Sequence, residues 1–293
     1  MTGDWGDRLR LRVEQFAPVL GEPEANLERM AAAQADAARE GVELVVTPEL
    51  SLTGYDLRDR THPLAVPLGE RSFAALARGP DLVLGMVELG TDFTAYNSAV
   101  HLRGGAVLHR HRKIYLPTYG MFDEGRYFGA GDRARVYDAG GGWRIGLLVC
   151  EDLWHPALVY LLALGGAQLV IVQAAAVGRG IPTEAGKDAG AGRFASARAW
   201  EQLAGAAAFA FGIYVVVANR VGVEGACVFG GGSLIVAPDG KLLARGDDLA
   251  EDRPTADLSL ARVAQARRPF SHARDEDPHL VARELARLLE WEA

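Results

Sequence analysis

The sequence predicts an α/β protein in which two mixed sheets each carry helices on one outer face. Strand-like and helix-like segments alternate along most of the 293 residues, which is the pattern of a layered α/β architecture. Turn signals between apolar runs, RGG at 103–105 and PDG at 238–240, add hairpins to that pattern. Hydrophobic residues make up 49% of the chain, enough for a large core, and we expect one domain over residues 1–293.

The first half of the chain predicts one long helix and several strands. The run LRVEQFAPV (11–19) opens with alternating apolar residues and predicts the first strand. A helix is predicted from Pro23, a residue that favours the first helical turn, to about Arg39, where Gly41 stops it. The remaining strands predicted here are ELVVT (43–47), DLVLGMVE (81–88), YNSAVHLR (96–103) and the alternating run AVLHRHRK (106–113).

The second half continues the alternation. Its predicted strands are WRIGLLVC (143–150), LVIVQ (169–173), IYVVVAN (213–219) and GSLIVAP (232–238), and its predicted helices cover 154–165, 191–211 and 278–291. The Gly- and Ala-rich segment 174–194 predicts a loop beside a site, or a solvated surface loop. The last helix places Leu280, Leu285, Leu288 and Leu289 at helical spacing. We expect the tail, about 262–293, to pack on its own domain or at a subunit interface.

Composition excludes several classes of partner. A net charge of −7 argues against nucleic acid or an anionic membrane as the main partner, since both favour a clustered excess of Lys and Arg. The two cysteines, Cys150 and Cys227, lie in apolar surroundings, which is typical of a reducing compartment. The first residues do not resemble a secretory signal, and no apolar run approaches ~18 residues. We therefore expect a cytoplasmic protein.

Three chemically useful side chains follow predicted strands. Cys150 ends the apolar run of GLLVCEDLWHP, Glu49 follows VVTP, and Lys113 closes AVLHRHRK ahead of a loop rich in Tyr and Phe. Sites in open α/β sheets form where strands end and loops begin. The acids after Cys150 would raise the pKa of its thiol, so a reactive thiol needs help from elsewhere.

Glu49 and Lys113 could supply that help. Glu49 can accept the proton of Cys150, while the charge of Lys113 stabilises the thiolate and, later, the oxyanion of a tetrahedral intermediate. Glu151, immediately after the nucleophile at a turn, would point its side chain away and its backbone N–H inward as a second oxyanion donor. Taken singly, each residue has an ordinary interpretation: a buried thiol, a solvated carboxylate and a surface lysine.

These motifs resemble those of the nitrilase or carbon-nitrogen hydrolase superfamily. TPELSLTGY, HRKIYLP and VCEDLWHP are similar, in order and context, to the segments that carry its Glu, Lys and Cys triad, and the resemblance continues through ARAWEQL, IYVVVANRVG, VFGGGSLIVAPDGKLLARG and ADLSL. It covers nearly the entire chain. The resemblance implies a nitrilase-like α-β-β-α sandwich, hydrolysis of a small amide through a cysteine thioester, and a homodimer or higher homo-oligomer.

Within that superfamily, KIYLPTYGMFDEGRYF looks most like the glutaminase domain of glutamine-dependent NAD synthetase. The match implies Glu124 as a second active-site glutamate, Tyr119 and Phe122 as walls of the substrate pocket, Glu151 near the substrate's amino group and Arg179 as a partner for a substrate carboxylate. Two departures stand out. Alanines at 174–176 replace a serine that the family uses to hold glutamine, and the chain ends before a synthetase domain, so we expect a stand-alone chain.

The substrate stays open between glutamine, another ω-amide and a carbamoyl compound, with a nitrile as a further alternative. No phosphate-cradling loop for ATP is present, and we expect neither a cofactor nor a metal. The alternatives are a glutaminase-like subunit that supplies ammonia to a separate synthetase, and a nitrilase-like scaffold that only binds.

Two other enzyme classes are weaker alternatives. His109 and His111 share one face of a predicted strand and could belong to a metal hydrolase, although no third ligand stands out and two exposed histidines on a sheet rim are the simpler interpretation. His155 could pair with Cys150 as in papain-like enzymes, but the partner in such sites usually comes from another strand.

Overall fold

Fourteen strands and eight α-helices make up the part of the chain that the structure, a computed structural model, describes: residues 5–69, 73–120, 122–179, 194–269 and 272–290. The strands are β1 (Arg8–Val13), β2 (Leu44–Val46), β3 (Asp81–Leu89), β4 (Ala95–Arg103), β5 (Ala106–Arg112), β6 (Val136–Asp138), β7 (Arg144–Val149), β8 (Leu169–Ala174), β9 (Tyr214–Asn219), β10 (Val221–Glu224), β11 (Cys227–Gly230), β12 (Leu234–Val236), β13 (Leu242–Arg245) and β14 (Thr255–Ser259). The helices are α1 (Pro23–Arg39), α2 (Thr61–Leu64), α3 (Glu124–Tyr127), α4 (Pro156–Leu164), α5 (Ala195–Phe211), α6 (Leu260–Arg267), α7 (His272–Asp275) and α8 (Pro278–Glu290). Short 3₁₀ turns cover Arg58–Arg60, Ala74–Leu76 and Cys150–Trp154.

Twelve of the strands form two six-stranded mixed sheets, and β10 and β11 form a separate antiparallel pair. The first has the order β14-β1-β2-β3-β4-β5, and the second has the order β13-β12-β9-β8-β7-β6. In each sheet three adjacent strands are parallel, β1 to β3 in one and β7 to β9 in the other, and the flanking strands are antiparallel. This confirms the predicted α/β class with two mixed sheets.

Alternating side chains of the short strand β2 show why the layers stack. Leu44 and Val46 belong to the same core cluster as Leu147 of β7, whereas Val45 packs in a second cluster with Met30 of α1. Successive side chains of a strand point to opposite faces, so one face of the sheet meets the other sheet and the opposite face meets the helix. Fully burying a side chain of this kind stabilises the fold by roughly 1.5–3 kcal/mol.

The carboxyl ends of three strands meet at one place in the fold. β5 runs in the same direction as β2, because β3 to β4 and β4 to β5 are both antiparallel steps. Glu49 follows β2 and Lys113 follows β5, so both lie at the same edge of the first sheet. β7 packs against β4 and β5 and ends just before Cys150, which brings the second sheet to that edge.

The two predicted hairpin turns lie where the sequence placed them, whereas the first strand does not. Gly104 and Gly105 join β4 to β5 with φ of +56° and +77°, the backbone of a two-residue hairpin turn, and Gly240 with φ +77° turns β12 into β13. The first strand was predicted too late. It covers Arg8–Val13, and the predicted run 11–19 leaves the sheet after Val13, where Gln15 keeps only an isolated bridge.

The helix predictions were right in type; α1 has its predicted bounds, and two later helices begin after their predicted starts. The helix predicted at 154–165 begins at Pro156, because the preceding residues form a 3₁₀ turn. The helix predicted at 191–211 is Ala195–Phe211, and residues 191–193 lie outside the described residues. Most of the predicted loop, residues 180–193, also lies outside them. No described helix is long and apolar enough to cross a membrane.

The C-terminal helix α8 leaves its apolar stripe uncovered by the described chain. The four leucines on it are 48–70% exposed: Leu280, Leu285, Leu288 and Leu289. Packing on its own domain, one of the two predicted arrangements, is therefore not what these side chains do. A subunit contact through this helix stays a prediction.

Candidate active site

The loop that carries Glu49 lies directly on β3. Glu49 is completely buried, and Leu50 after it adopts a left-handed backbone with φ +49°. A Cβ atom at Gly85 of β3 would stand 2.4 Å from the backbone nitrogen of Leu50 and 2.8 Å from the carbonyl oxygen of Pro48. Only a residue without a side chain lets the loop approach this closely, and the approach holds Glu49 over the sheet.

Lys113 lies between two buried carboxylates. Its Nζ donates to Oε1 of Glu49 at 2.8 Å and to Oε1 of Glu124 at 2.7 Å. Asn97 Nδ2 also donates to Oε1 of Glu49, at 2.7 Å, and the Tyr55 hydroxyl donates to Oε1 of Glu124. In both carboxylates the second oxygen, Oε2, is buried and has no hydrogen-bond partner among the described residues.

Burial and opposite charge set the protonation of this cluster. Burial acts to lower the pKa of Lys113, but the charges of Glu124 and Glu49 outweigh it and raise the pKa, so the lysine keeps its charge. Burial raises the pKa of Glu124 to about 7, although Lys113 acts in the opposite direction. Glu124 thus stands close to half protonation at neutral pH, which limits the negative charge enclosed with the lysine.

Cys150 occupies a strained turn at the end of β7. Its φ of +47° is left-handed, which costs a residue with a side chain roughly 1–2 kcal/mol, and it is 8% exposed. Burial, and then the charge of Glu49, raise the pKa of its thiol well above the usual value, while Lys113 and a backbone hydrogen bond from Ala175 act to lower it. The thiol is therefore protonated at rest, and a base must take its proton when it reacts.

The two acids after Cys150 have separate surroundings. Asp152 is fully buried and accepts hydrogen bonds from the backbone of Val149, Ile114 and Tyr115 at 3.0 Å each. It also accepts one from His111 Nε2 at 2.8 Å. Four hydrogen-bond donors thus stabilise its negative charge, which explains why an acid can lie two residues after Cys150.

A cavity of about 210 Å³ opens beside Cys150. Its described lining is Tyr119, Phe122, Cys150, Glu151, Trp154, Ala176, Val177, Arg179, Ser196 and Trp200. Five predicted site residues are therefore brought together here, while Glu49, Lys113 and Glu124 are buried in the cluster described above. Tyr119 donates its hydroxyl to Oε2 of Glu151 at 2.8 Å, and the guanidinium of Arg179 lies 5.4 Å from the ring centre of Phe122.

Three polar residues around the site were missed at the sequence level: Tyr55 and Asn97, which bond the two glutamates of the cluster, and Asp152, which bonds the backbone beside Lys113 and Cys150. Asn97 gave the clearest signal, because a polar residue in a predicted strand of this kind is either exposed or hydrogen-bonded in the core, and it is 1% exposed. Tyr55, in the same TPELSLTGY segment as Glu49, gave a weaker one.

The histidines considered for a metal site or for a papain-like pair with Cys150 contact other side chains. His111 is 3% exposed and bonded to Asp152, and His109 stacks on Tyr137 with ring centres 4.1 Å apart. The interpretation of both as exposed rim residues was wrong, because their strand face meets the second sheet. His155 stacks on Tyr115 at 3.3 Å. Within the described residues there is no group of three or more His, Cys, Asp and Glu placed to hold a metal ion.

One family model and several known sequences are similar to this chain. The model of the family described as carbon-nitrogen hydrolase matches residues 10–268. Glutamine-dependent NAD(+) synthetase of Thermotoga maritima is 32% identical over 258 residues, which are 86% of this chain and 42% of that protein. The chain thus spans less than half the length of such synthetases. A nitrilase of Pyrococcus abyssi is 30% identical over 86% of this chain and 90% of its own length.

Solved structures give the same result. Glutamine-dependent NAD+ synthetase from Acinetobacter baumannii superposes with a TM-score of 0.77 at 26% identity, over 87% of this chain and 46% of that one. An amidase from Nesterenkonia sp. AN1, solved as a double mutant in complex with acrylamide, superposes with a TM-score of 0.75 at 27% identity, over 95% and 97%. The chain therefore belongs to the carbon-nitrogen hydrolase family, hydrolases that act on carbon–nitrogen bonds.

Proposed function

We propose that this protein hydrolyses a small amide through a thioester on Cys150 and releases ammonia. The observation that carries the proposal is a buried carboxylate that acts electrostatically on Cys150 and has one oxygen without a hydrogen-bond partner among the described residues. Oε1 of Glu49 is held by Lys113 and Asn97, and Oε2 has no partner in the described part of the chain. Glu49 is thus oriented by one oxygen and available as a general base with the other.

The reaction follows from these positions. As Cys150 attacks the amide carbon, Glu49 takes the thiol proton, and the carbonyl oxygen gains negative charge. Lys113 and the backbone N–H of Glu151 stabilise that oxyanion. Collapse of the intermediate breaks the carbon–nitrogen bond, and Glu49 returns the proton to the leaving nitrogen as ammonia departs. Water, deprotonated by Glu49, then hydrolyses the thioester to a carboxylic acid and the free thiol.

Glu124 completes the cluster by orienting Lys113. Its Oε1 accepts hydrogen bonds from Lys113 and Tyr55, so the ammonium group is fixed from two sides. Its Oε2 has no partner in the ranges that the structure describes and can accept a hydrogen bond from the amide nitrogen. A carboxyl whose pKa is about 7 can exist in either protonation state during turnover.

The cavity favours an ω-amide of an amino acid, with glutamine as the leading candidate. Glu151 can bind an ammonium group, Arg179 can bind a carboxylate, and the rings of Phe122, Trp154 and Trp200 line the space between. Relatives that depend on glutamine support this choice. The alanines at 174–176 remove one polar contact of that family and make other short amides competitors.

The test is ammonia release from a panel of glutamine, asparagine and short aliphatic amides. We expect release by the wild-type protein and none by Cys150→Ala, with both proteins equally folded by circular dichroism and thermal melting. Mass spectrometry would locate the acyl group on Cys150. Full activity in Cys150→Ala would refute the thioester route, and equal inactivity of both proteins would favour a binding scaffold.

A second candidate is a subunit that supplies ammonia to a separate synthetase. The observation in its favour is that the matched region is only 42% of the Thermotoga maritima synthetase. Adding a candidate synthetase to the ammonia assay separates the two functions. A free amidase shows the same rate with and without that partner, whereas a dependent subunit is activated by it.

A further inference from the structure

Asp152 joins the segment that carries Lys113 to the turn that carries Cys150. One oxygen of its carboxylate, Oδ1, accepts the backbone N–H groups of Ile114 and Tyr115, directly after the lysine. The other oxygen, Oδ2, accepts the backbone N–H of Val149, directly before the cysteine. A single fully buried side chain thus fixes the backbone on both sides.

On the cysteine side this contact closes a ring around the strained turn. The hydrogen bond from Val149 to Asp152 spans Cys150 and Glu151, and Cys150 within it has φ +47°. A left-handed conformation of a residue with a side chain persists only where the surrounding contacts over-determine it. Charge-assisted hydrogen bonds are roughly twice as strong as neutral ones, so the carboxylate offsets the strain of the turn.

On the lysine side His111 completes the connection. Its Nε2 lies 2.8 Å from Oδ2 of Asp152, and it stands on β5, two residues before Lys113. His111 points toward the second sheet, where it meets Asp152, and Lys113 follows directly after the end of β5. The imidazole therefore ties the strand of the lysine to the turn of the cysteine.

We propose that Asp152 and His111 are positioning residues that set the distance and orientation of Lys113 relative to Cys150; the proposal rests on the amide hydrolysis proposed above. The two groups come from different sheets, and packing alone permits small slides between sheets. A misplacement of about 1 Å at a reacting group can cost about 100-fold in rate. Three backbone bonds and one imidazole bond on one carboxylate prevent such a slide.

Asp152→Asn tests the carboxylate. The amide oxygen can still accept from Ile114 and Tyr115, but the amide nitrogen then faces the N–H of Val149, and two donors cannot bond. We expect kcat for ammonia release to fall about 100-fold, with KM within about threefold. His111→Leu removes one donor, and at least a tenfold fall in kcat is expected. His111→Gln carries an amide N–H that can reach Asp152, and it should restore kcat to within about threefold of wild type.

Alkylation by iodoacetamide gives a readout that needs no amide substrate. The rates at Cys150 and Cys227 are followed in the same digest by mass spectrometry, and Cys227 reports general loosening of the fold. We expect the ratio of the Cys150 rate to the Cys227 rate to fall at least tenfold in Asp152→Asn and His111→Leu. A merely structural role would raise both rates together.

The chain contains a matched control. Asp81 also binds a histidine from a neighbouring strand, His101, at 3.2 Å, but it stands at the start of β3, the opposite edge of the sheet. Asp81→Asn should lower the melting temperature and leave the alkylation ratio unchanged. The proposal is overturned if Asp81→Asn lowers the ratio as much as Asp152→Asn, or if His111→Gln is as impaired as His111→Leu. If the wild type hydrolyses no amide while the ratios follow the expected pattern, the proposed function fails and the positioning role stands.

Discussion

The close contact between Gly85 and the Glu49 loop leads to a sharp prediction for Gly85→Ala. The added methyl group would stand 2.4 Å from the backbone nitrogen of Leu50, 2.8 Å from the carbonyl oxygen of Pro48 and 3.0 Å from the carbonyl carbon of Glu49. All three atoms belong to the backbone, so no side chain can rotate away to relieve the contact. The loop itself has to move.

The size of the effect follows from these distances. Ordinary van der Waals contact begins near 3.4 Å, so the loop must retreat by about 1 Å, the difference between 3.4 and 2.4 Å. Glu49 moves with it and changes its position relative to Cys150. A misplacement of about 1 Å costs about 100-fold in rate, equivalent to about 2.7 kcal/mol of transition-state stabilisation. Overpacking of this kind also destabilises the fold by about 1–3 kcal/mol.

The assay is kcat for ammonia release by the folded protein, with the folded fraction measured by thermal melting. Gly205→Ala is the matched control, because its added methyl group would meet nothing closer than 3.7 Å, and alanine is favoured over glycine within helix α5. We expect full activity and equal or higher stability in that control. A Gly85→Ala protein that folds and keeps kcat within twofold of wild type would contradict the expected dependence of the rate on the position of the Glu49 loop.

Three further predictions concern the same cluster. Gly131→Ala would place a methyl group 2.2 Å from the backbone carbonyl oxygen that precedes Lys113, so kcat should fall at least tenfold, measured as ammonia release. For Glu124, whose pKa burial raises to about 7 from 4.5, the stability of wild type relative to Glu124→Gln should be greatest below about pH 4.5. It should decline by about 3 kcal/mol as pH rises through 7, measured by urea unfolding, because the folded state holds a proton that the unfolded chain has released. Tyr119→Phe frees the Glu151 carboxylate, and KM for an amino-acid amide should rise severalfold with kcat little changed.

The outcomes that contradict these predictions are specific. A folded Gly131→Ala with normal kcat would mean that the strand end absorbs the contact without moving Lys113. A stability difference between wild type and Glu124→Gln that does not depend on pH would mean that Glu124 has the same pKa in the folded and unfolded states. A Tyr119→Phe protein with lowered kcat and unchanged KM would place the tyrosine in the chemical step instead of in substrate binding.

Residues that end strands could be predicted from the sequence because a strand end is a local signal. Glu49, Lys113 and Cys150 each follow an apolar or alternating run, and the parallel centre of each sheet brings such ends to one edge. The same reasoning placed the hairpin at Gly104 and Gly105, where the turn requires positive φ at both positions. These features depend on a few neighbouring residues, and the structure contains each of them.

Contacts between distant segments could not be predicted in the same way. Asp152 bonds the backbone of Ile114, 38 residues earlier, and Tyr55 bonds Glu124, 69 residues later. No local pattern specifies which strand will face which turn, because that depends on how the two sheets pack. The acid after a nucleophile was recognised as part of a turn, but its partners on the other sheet were not.

The proposed reacting groups come from two different sheets, and this determines how the protein would lose activity. Glu49 and Lys113 belong to one sheet and Cys150 to the other, so neither half of the sandwich contains a complete set of reacting groups. During heating or partial unfolding, the sheets can separate slightly while each keeps its own backbone hydrogen bonds. We therefore expect the proposed amide hydrolysis to be a more sensitive gauge of sandwich integrity than far-ultraviolet circular dichroism, and to be lost before the secondary structure melts.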